Sequence, residues 1–204
     1  MISIVDYGLG NVQAFLNVYK RLNVEARSAT TAADLRGASR VILPGVGAFD
    51  HAMERLEASG MREALDELVL HDGVPVLGVC VGMQILGRSS EEGEREGLGY
   101  IPGRVRLFDA DAQPDPLQLP HMGWNDVSPA PASPLFEGLE DDARFYFLHS
   151  YYFECDRPDD VAAVSVYGRD FSCAIQAGNI HGVQFHPEKS HHFGTRLLQN
   201  FAEL

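Results

Sequence analysis

The sequence predicts an α/β protein, with a mainly parallel sheet flanked by helices and antiparallel additions in the C-terminal half. Three observations predict this. In the first 80 residues, short apolar runs alternate with segments of helical period, as in successive βαβ units. After residue 100, strand-like runs follow one another with short connections, which suits antiparallel pairing. The 204 residues, 45% hydrophobic and 22% charged, suit one domain over 1–204 that buries about 70% of its unfolded surface.

The elements follow in order. Ile2–Val5 reads as a buried strand, and after Gly8-Leu9-Gly10 comes a helix with Val12, Phe15, Leu16 and Tyr19 on one face. Residues 24–28 and 40–43 read as the second and third strands. Residues 50–71 are expected to be helical, with Met53, Leu56, Leu65, Leu68 and Val69 in the core, and 74–79 form a strand running into Cys80. Further strands are expected at 104–108, 145–153, 161–167, 173–177 and 180–185. A final helix shares a face of Phe193, Leu197, Leu198 and Phe201. Residues 109–120, with three prolines and three aspartates, read as a surface loop.

The charge balance excludes whole classes of function. Sixteen Lys and Arg against 29 Asp and Glu leave a formal charge of −13, which argues against a nucleic-acid face. No apolar run reaches the roughly 18 residues of a membrane span, and the opening residues lack a signal-peptide pattern. Three cysteines, Cys80, Cys155 and Cys173, form no disulfide framework, so a reducing cytoplasm is expected. No metal site is expected, because the adjacent His191 and His192 diverge on a helix and have no accompanying ligand set. Gly8-Leu9-Gly10 lacks the third glycine and acidic partner of a dinucleotide loop, and no cofactor is expected. His51, His71, His121, His149 and His181 show no relay partner in the sequence.

Two segments carry chemistry. In Gly78-Val79-Cys80-Val81-Gly82-Met83-Gln84 a strand delivers Cys80 into a Gly-x-Cys-x-Gly turn, the form of a nucleophile elbow. The same residues would also suit a buried structural cysteine in a turn that needs glycine. An elbow would set the thiol at a helix N-terminus, which favours thiolate, and would aim the Val81 N–H at an oxyanion. In Gly182-Val183-Gln184-Phe185-His186-Pro187-Glu188, the His-x-Glu spacing of an extended chain puts both side chains on one side. Alone it reads as a surface turn. Together with the elbow it supplies a base for the thiol and an acceptor to orient that base.

These two segments, with Pro44-Gly45-Val46-Gly47-Ala48-Phe49, resemble the class I (triad) glutamine amidotransferases. Asp6-Tyr7-Gly8-Leu9-Gly10-Asn11, His121-Met122-Gly123-Trp124-Asn125 and the run from Phe145 to Tyr152 narrow the resemblance to the glutaminase subunits of imidazole glycerol phosphate synthase. It spans essentially the whole chain and implies a flavodoxin-like sheet. It implies that Cys80 attacks the carboxamide of L-glutamine, that His186 shuttles protons and that Glu188 orients His186. Backbone N–H groups of Val81 and Val46 would hold the oxyanion, with Val46 on a switchable loop between two glycines. Gly47, Gln84, Glu92, Ser150 and Tyr151 would bind the substrate.

The resemblance also implies a partner, a (β/α)8-barrel cyclase subunit into which ammonia is channelled in histidine biosynthesis. Leu9, Asn11, Trp124, Asn125, Tyr146 and Lys189 are the expected interface residues. Trp124 reads equally as an interface anchor or as a core indole behind Gly123, and Glu92 as a substrate ligand or as part of a solvated acidic loop with Glu91, Glu94 and Glu96. The negative charge predicts a locally basic rim on the cyclase. Two positions depart from the family: Val81 stands where relatives carry Leu, and Gly87-Arg88 should shorten the helix after Cys80. Service to another biosynthetic synthase, or a non-catalytic activating role, are the competing readings.

Overall fold

The computed structural model describes residues 1–110, 116–131 and 133–204. Its first half alternates strand and helix: β1 (Ile2–Val5), α1 (Val12–Arg21), β2 (Ala26–Ala29), α2 (Ala32–Leu35), β3 (Arg40–Gly45), α3 (Phe49–Ala58), α4 (Arg62–Asp66), β4 (Val76–Cys80) and α5 (Val81–Gln84). The second half is mostly strand: β5 (Gly103–Leu107), β6 (His121–Asp126), β7 (Ser128–Pro129), β8 (Arg144–His149), β9 (Tyr151–Cys155), β10 (Val161–Tyr167), β11 (Arg169–Ala177) and β12 (Ile180–Val183). Helix α6 (His191–Glu203) closes the chain.

Strands β2-β1-β3-β4-β12 lie side by side and parallel, the 2-1-3-4-5 order of a flavodoxin-like sheet with β12 as its last strand. Strands β1, β4 and β12 are buried along their whole length, as expected of strands covered on both faces. From β12 the sheet continues antiparallel through β11, β10 and β7, and β9 pairs with both β11 and β5. Strands β6 and β8 form a separate antiparallel ribbon. Helix α6 buries Leu197, Leu198 and Phe201. Nearby, Phe145 stacks on Phe185 with ring centres 3.9 Å apart.

Several sequence expectations need correction. The helix expected over 50–71 breaks at Gly60, whose φ of +69° favours glycine. It resumes as α4 and ends in a π-helical turn, Glu67–His71. The strand expected over 145–153 is two strands divided at Ser150, because the chain there leaves the β6 ribbon and joins the main sheet by pairing with β11, with β5 on its other side. Helix α2 was not expected. It is only four residues long, held by a capping box between Thr31 and Asp34. Strand β6 was also missed, since Gly123 at φ +123° and its many polar residues hide the alternation. The helix after Cys80 stops at Gln84, as Gly87 predicts. Part of the loop expected at 109–120, residues 111–115, lies outside the described residues.

Candidate active site

Ligand crevices in open α/β sheets lie beyond the carboxyl ends of the strands, and the registers here bring three such ends together. Gly45 ends β3 opposite Cys80 at the end of β4, and β12 runs alongside β4 with Gly182 opposite Gly78. His186 follows β12 a few residues on.

Cys80 occupies a left-handed conformation, φ +56° and ψ −117°. Such backbone costs a non-glycine residue of the order of 1–3 kcal/mol and persists where its surroundings enforce it. Close approach enforces it here. A Cβ on Gly78 would lie 2.6 Å from the Gly82 carbonyl oxygen, and one on Gly82 would collide with the Leu43 carbonyl. The two glycines of the elbow are therefore spatial requirements of this turn. Helix α5, which starts directly after Cys80, is a single turn.

His186 Nδ1 lies 2.9 Å from Glu188 Oε1, with both side chains buried. Cys80 also acts on the imidazole, and both residues line one pocket. Burial alone would depress the imidazole pKa. The hydrogen bonds to Cys80 and Glu188, and the negative charges behind them, outweigh it and push the value up to about 9. The second carboxylate oxygen, Glu188 Oε2, is buried without a hydrogen-bond partner among the described residues.

A pocket of about 260 Å³ opens onto these groups. Cys80, Val81 and His186 line it together with Val46, Gly47, Gln84, Glu92, Ser150 and Tyr151, so every residue expected to bind substrate or oxyanion reaches one cavity. Gly47 has φ +90°, and Val46 is 40% exposed at the rim. Tyr7 donates its hydroxyl to the Pro44 carbonyl at 2.7 Å, anchoring the base of that loop. Burial, with the neighbouring Cys80, raises the Tyr7 phenol above its usual range and keeps it a donor.

Two expected ligands carry structural duties as well. Glu92 Oε2 accepts the Phe49 N–H at 2.8 Å, supplying the cap that α3 lacks in its own sequence. Asp50 ties the same two segments together by accepting the N–H groups of Glu94 and Arg95, each at 3.0 Å. Gln84 spends both hydrogens of its amide, on the Tyr151 carbonyl at 3.3 Å and on Gln184 Oε1 at 3.0 Å. Only its Oε1 is left to face a ligand.

The expected interface residues divide. Trp124 and Tyr146 are paired across the β6–β8 ribbon. Trp124 is 41% exposed and stacks on His191 at 5.3 Å, which excludes the core reading. Lys189 Nζ sits 5.9 Å from the centre of the Tyr146 ring and also lines the pocket. Asn11 caps α1 by accepting the Ala14 N–H at 3.1 Å, and Leu9 packs partly against the core. The Asn125 amide turns away from the Trp124 face, donating to the Val166 carbonyl at 2.9 Å and meeting His121 Nε2 at 3.2 Å.

His121 and His149, for which the sequence shows no relay partner, are each other's. His121 Nδ1 lies 3.0 Å from His149 Nε2, and His149 Nδ1 lies 2.7 Å from the Tyr151 carbonyl. Separated by 28 residues, they meet only because β6 pairs with β8 in register. Sequence reasoning also passed over Gln184, whose Nε2 is 3.8 Å from Cys80 Sγ. Its position, two residues before His186 on an extended chain, was the available signal.

Comparison with known proteins agrees with this geometry. Residues 3–204 match the family described as glutamine amidotransferase class-I. The imidazole glycerol phosphate synthase subunit HisH of Bdellovibrio bacteriovorus is 61% identical over 204 residues, all of both chains. Subunit HisH 2 of Pseudomonas aeruginosa is 45% identical over the same full lengths. Among solved structures, a glutamine amidotransferase matches with a TM-score of 0.77 at 20% identity, covering 99% of this chain and 97% of that one. PurLQS from Thermotoga maritima matches with a TM-score of 0.71 at 16% identity, again covering 99% and 97%. These two speak for the fold alone. With an elbow cysteine, a buried His–Glu pair and a family match over nearly its whole length, the chain belongs to the class-I glutamine amidotransferases.

Proposed function

We propose that this chain is the glutaminase subunit of an imidazole glycerol phosphate synthase and serves histidine biosynthesis. The observation that carries the reading is the assembly of Cys80, His186 and Glu188 at one end of the parallel sheet, beside a pocket lined by Gln84, Glu92, Ser150 and Tyr151. The full-length identity to HisH subunits supports the choice of synthase.

The Cys80 thiolate attacks the carboxamide carbon of L-glutamine, and the carbonyl oxygen becomes an oxyanion. The Val81 N–H and a second N–H from the Val46 loop hold that oxyanion, each worth about 2.7–4 kcal/mol of barrier. Protonated His186 gives its proton to the leaving nitrogen, so the C–N bond breaks, ammonia departs and a γ-glutamyl thioester remains. Neutral His186 then takes a proton from water as the oxygen attacks the thioester carbon. A second tetrahedral intermediate collapses, and glutamate leaves as the thiolate and the imidazolium are restored. Glu188 holds the imidazole in the orientation that serves both steps. Glu92, and Gln84 through its free Oε1, suit the substrate ammonium. Backbone N–H groups near Ser150 suit its carboxylate.

The partner in this reading is a (β/α)8-barrel cyclase, and the outer face of the β6–β8 ribbon is its docking surface. Met122 and Leu148, paired across the ribbon, are 66% and 38% exposed beside Trp124 and Tyr146. An apolar aromatic patch of this kind is a usual interface core. Leu148 and Lys189 also line the catalytic pocket, so ammonia released at Cys80 emerges next to that face. Among the described residues no helix is long and apolar enough to cross a membrane, and a cytoplasmic setting suits the free thiols. The test is glutamine turnover with and without the cyclase and its nucleotide. Turnover that rises with the partner and vanishes in Cys80→Ala is expected. Turnover untouched by Cys80→Ala would end the proposal.

A further inference from the structure

A hydrogen-bond line whose direction is set at one end runs from the β6 ribbon to the nucleophile. It starts at the Tyr151 carbonyl, which can only accept. His149 Nδ1, 2.7 Å away, must therefore carry the hydrogen, leaving His149 Nε2 as an acceptor. His121 Nδ1, at 3.0 Å, must donate to it, so His121 Nε2 accepts from the Asn125 amide at 3.2 Å. His121 is sandwiched between Phe147 and Tyr167, with ring centres 4.8 and 4.0 Å away. Burial depresses the pKa of His121 to about 4 and that of His149 to about 3, so both stay neutral and the tautomers hold.

On the other side of the same carbonyl the logic continues toward Cys80. Because the Tyr151 oxygen accepts, the Gln84 end facing it must be Nε2. Its second hydrogen meets Gln184 at 3.0 Å, so that end of Gln184 must be Oε1. The remaining end of Gln184 is then its NH₂, and it faces Cys80 Sγ at 3.8 Å. Gln184 is wholly buried and lies outside the pocket lining. A flipped amide would set a carbonyl oxygen against the sulfur.

We infer that Gln184 is a positioning residue for the nucleophile, donating an amide N–H to the Cys80 sulfur, and that Gln84 and the Tyr151 carbonyl lock its orientation. The inference rests on Cys80 being the nucleophile of the proposed reaction. A donor to a thiolate favours the charged form, and one held rigidly needs no reorganisation when charge moves onto the substrate oxygen. The other titratable groups facing Cys80 are His186 and Tyr7, with Glu188 behind the imidazole. Glu92, Lys189 and Tyr151 look onto it across the pocket.

The test follows alkylation of Cys80 by iodoacetamide against pH, read on the Cys80 peptide, together with glutamine kcat and KM. In Gln184→Met the alkylation midpoint should rise by about one pH unit, with kcat down about 10-fold and KM within about 3-fold of the unaltered chain. Gln84→Met spares Gln184 but frees its amide to turn, and it should raise the midpoint in the same direction. This second variant decides the matter if Gln184→Met does not fold. Profiles of both variants that superimpose on that of the unaltered chain would overturn the inference. A shift in Gln184→Met without one in Gln84→Met would overturn the orienting line. Failure of the glutaminase reading would look different: turnover would persist in Cys80→Ala, whatever the alkylation profiles do.

Discussion

His121 Nδ1 lies 3.0 Å from His149 Nε2, and both imidazoles are held neutral in an aromatic box that includes Phe147 and Phe171. Burial places His121 at about 4, His149 at about 3 and the equally buried His181 at about 4. In the unfolded chain all three titrate near 6.5. Below that value the unfolded state binds protons that the folded state refuses, so stability is intact above pH 6.5 and is lost as pH falls toward 4. Each proton contributes a slope of about 1.4 kcal/mol per pH unit. Urea midpoints should drop between pH 6.5 and 5, a window above ordinary carboxylate titration. His121→Phe, which keeps the ring stack, should flatten the drop by one proton. A midpoint constant across this window would mean the pair is not neutral in the fold.

His186 has the opposite sign. Its folded pKa, about 9, lies above the unfolded value, so the stability it contributes is present below pH 6.5 and is lost as pH rises through 9. The His186 imidazolium should persist across neutral pH, with glutaminase activity failing on the alkaline side. Glu188→Gln removes one of the charges that raise the imidazole. It should cut kcat by about 10²–10⁴-fold and move the alkaline limb to lower pH. A pH–rate profile measures both. An unmoved limb would mean that Glu188 only packs.

The legible and hidden parts of this molecule separate on physical grounds. Buried parallel strands such as Val76–Cys80 read as apolar runs, and the Gly-Val-Cys-Val-Gly segment announces its turn because glycine alone fits there. The His186–Glu188 contact was readable because both lie on one short extended stretch. The His121–His149 relay was not, since neither residue is near the other in sequence and the meeting depends on the register of a ribbon whose first strand escaped notice. Gln184 escaped because its role depends on which way an amide points. Only the Tyr151 carbonyl, far upstream in the chain, settles that. The second job of Glu92 depends on a helix that arrives from residue 49.

Glu92 thus offers a separation of roles. Its Oε2 accepts the Phe49 N–H at 2.8 Å, and the same carboxylate faces the pocket. Glu92→Gln keeps an oxygen for the cap but removes the charge. Stability should therefore stay close to that of the unaltered chain while KM for glutamine rises about 10-fold or more. Glu92→Ala loses both and should also cost about 1 kcal/mol of stability. Thermal melts and glutamine saturation curves on the two variants distinguish these outcomes. Equal KM in all three proteins would confine Glu92 to capping.

Trp124 tests the docking face. Its indole is 41% exposed, lies flat on His191 with ring planes 15° apart, and meets Tyr146 edge-on at 6.5 Å. A large aromatic held in place on both sides has already given up much of its side-chain freedom, so burying it against a partner costs little further entropy. Trp124→Ala should leave the melting temperature nearly unchanged, because the indole is 41% exposed and rests on His191, itself at the surface. The same substitution should weaken association with the cyclase by about 2 kcal/mol or more, roughly 30-fold in Kd. Titration calorimetry against the purified cyclase reads this directly. An unchanged Kd would move the interface away from the β6–β8 ribbon.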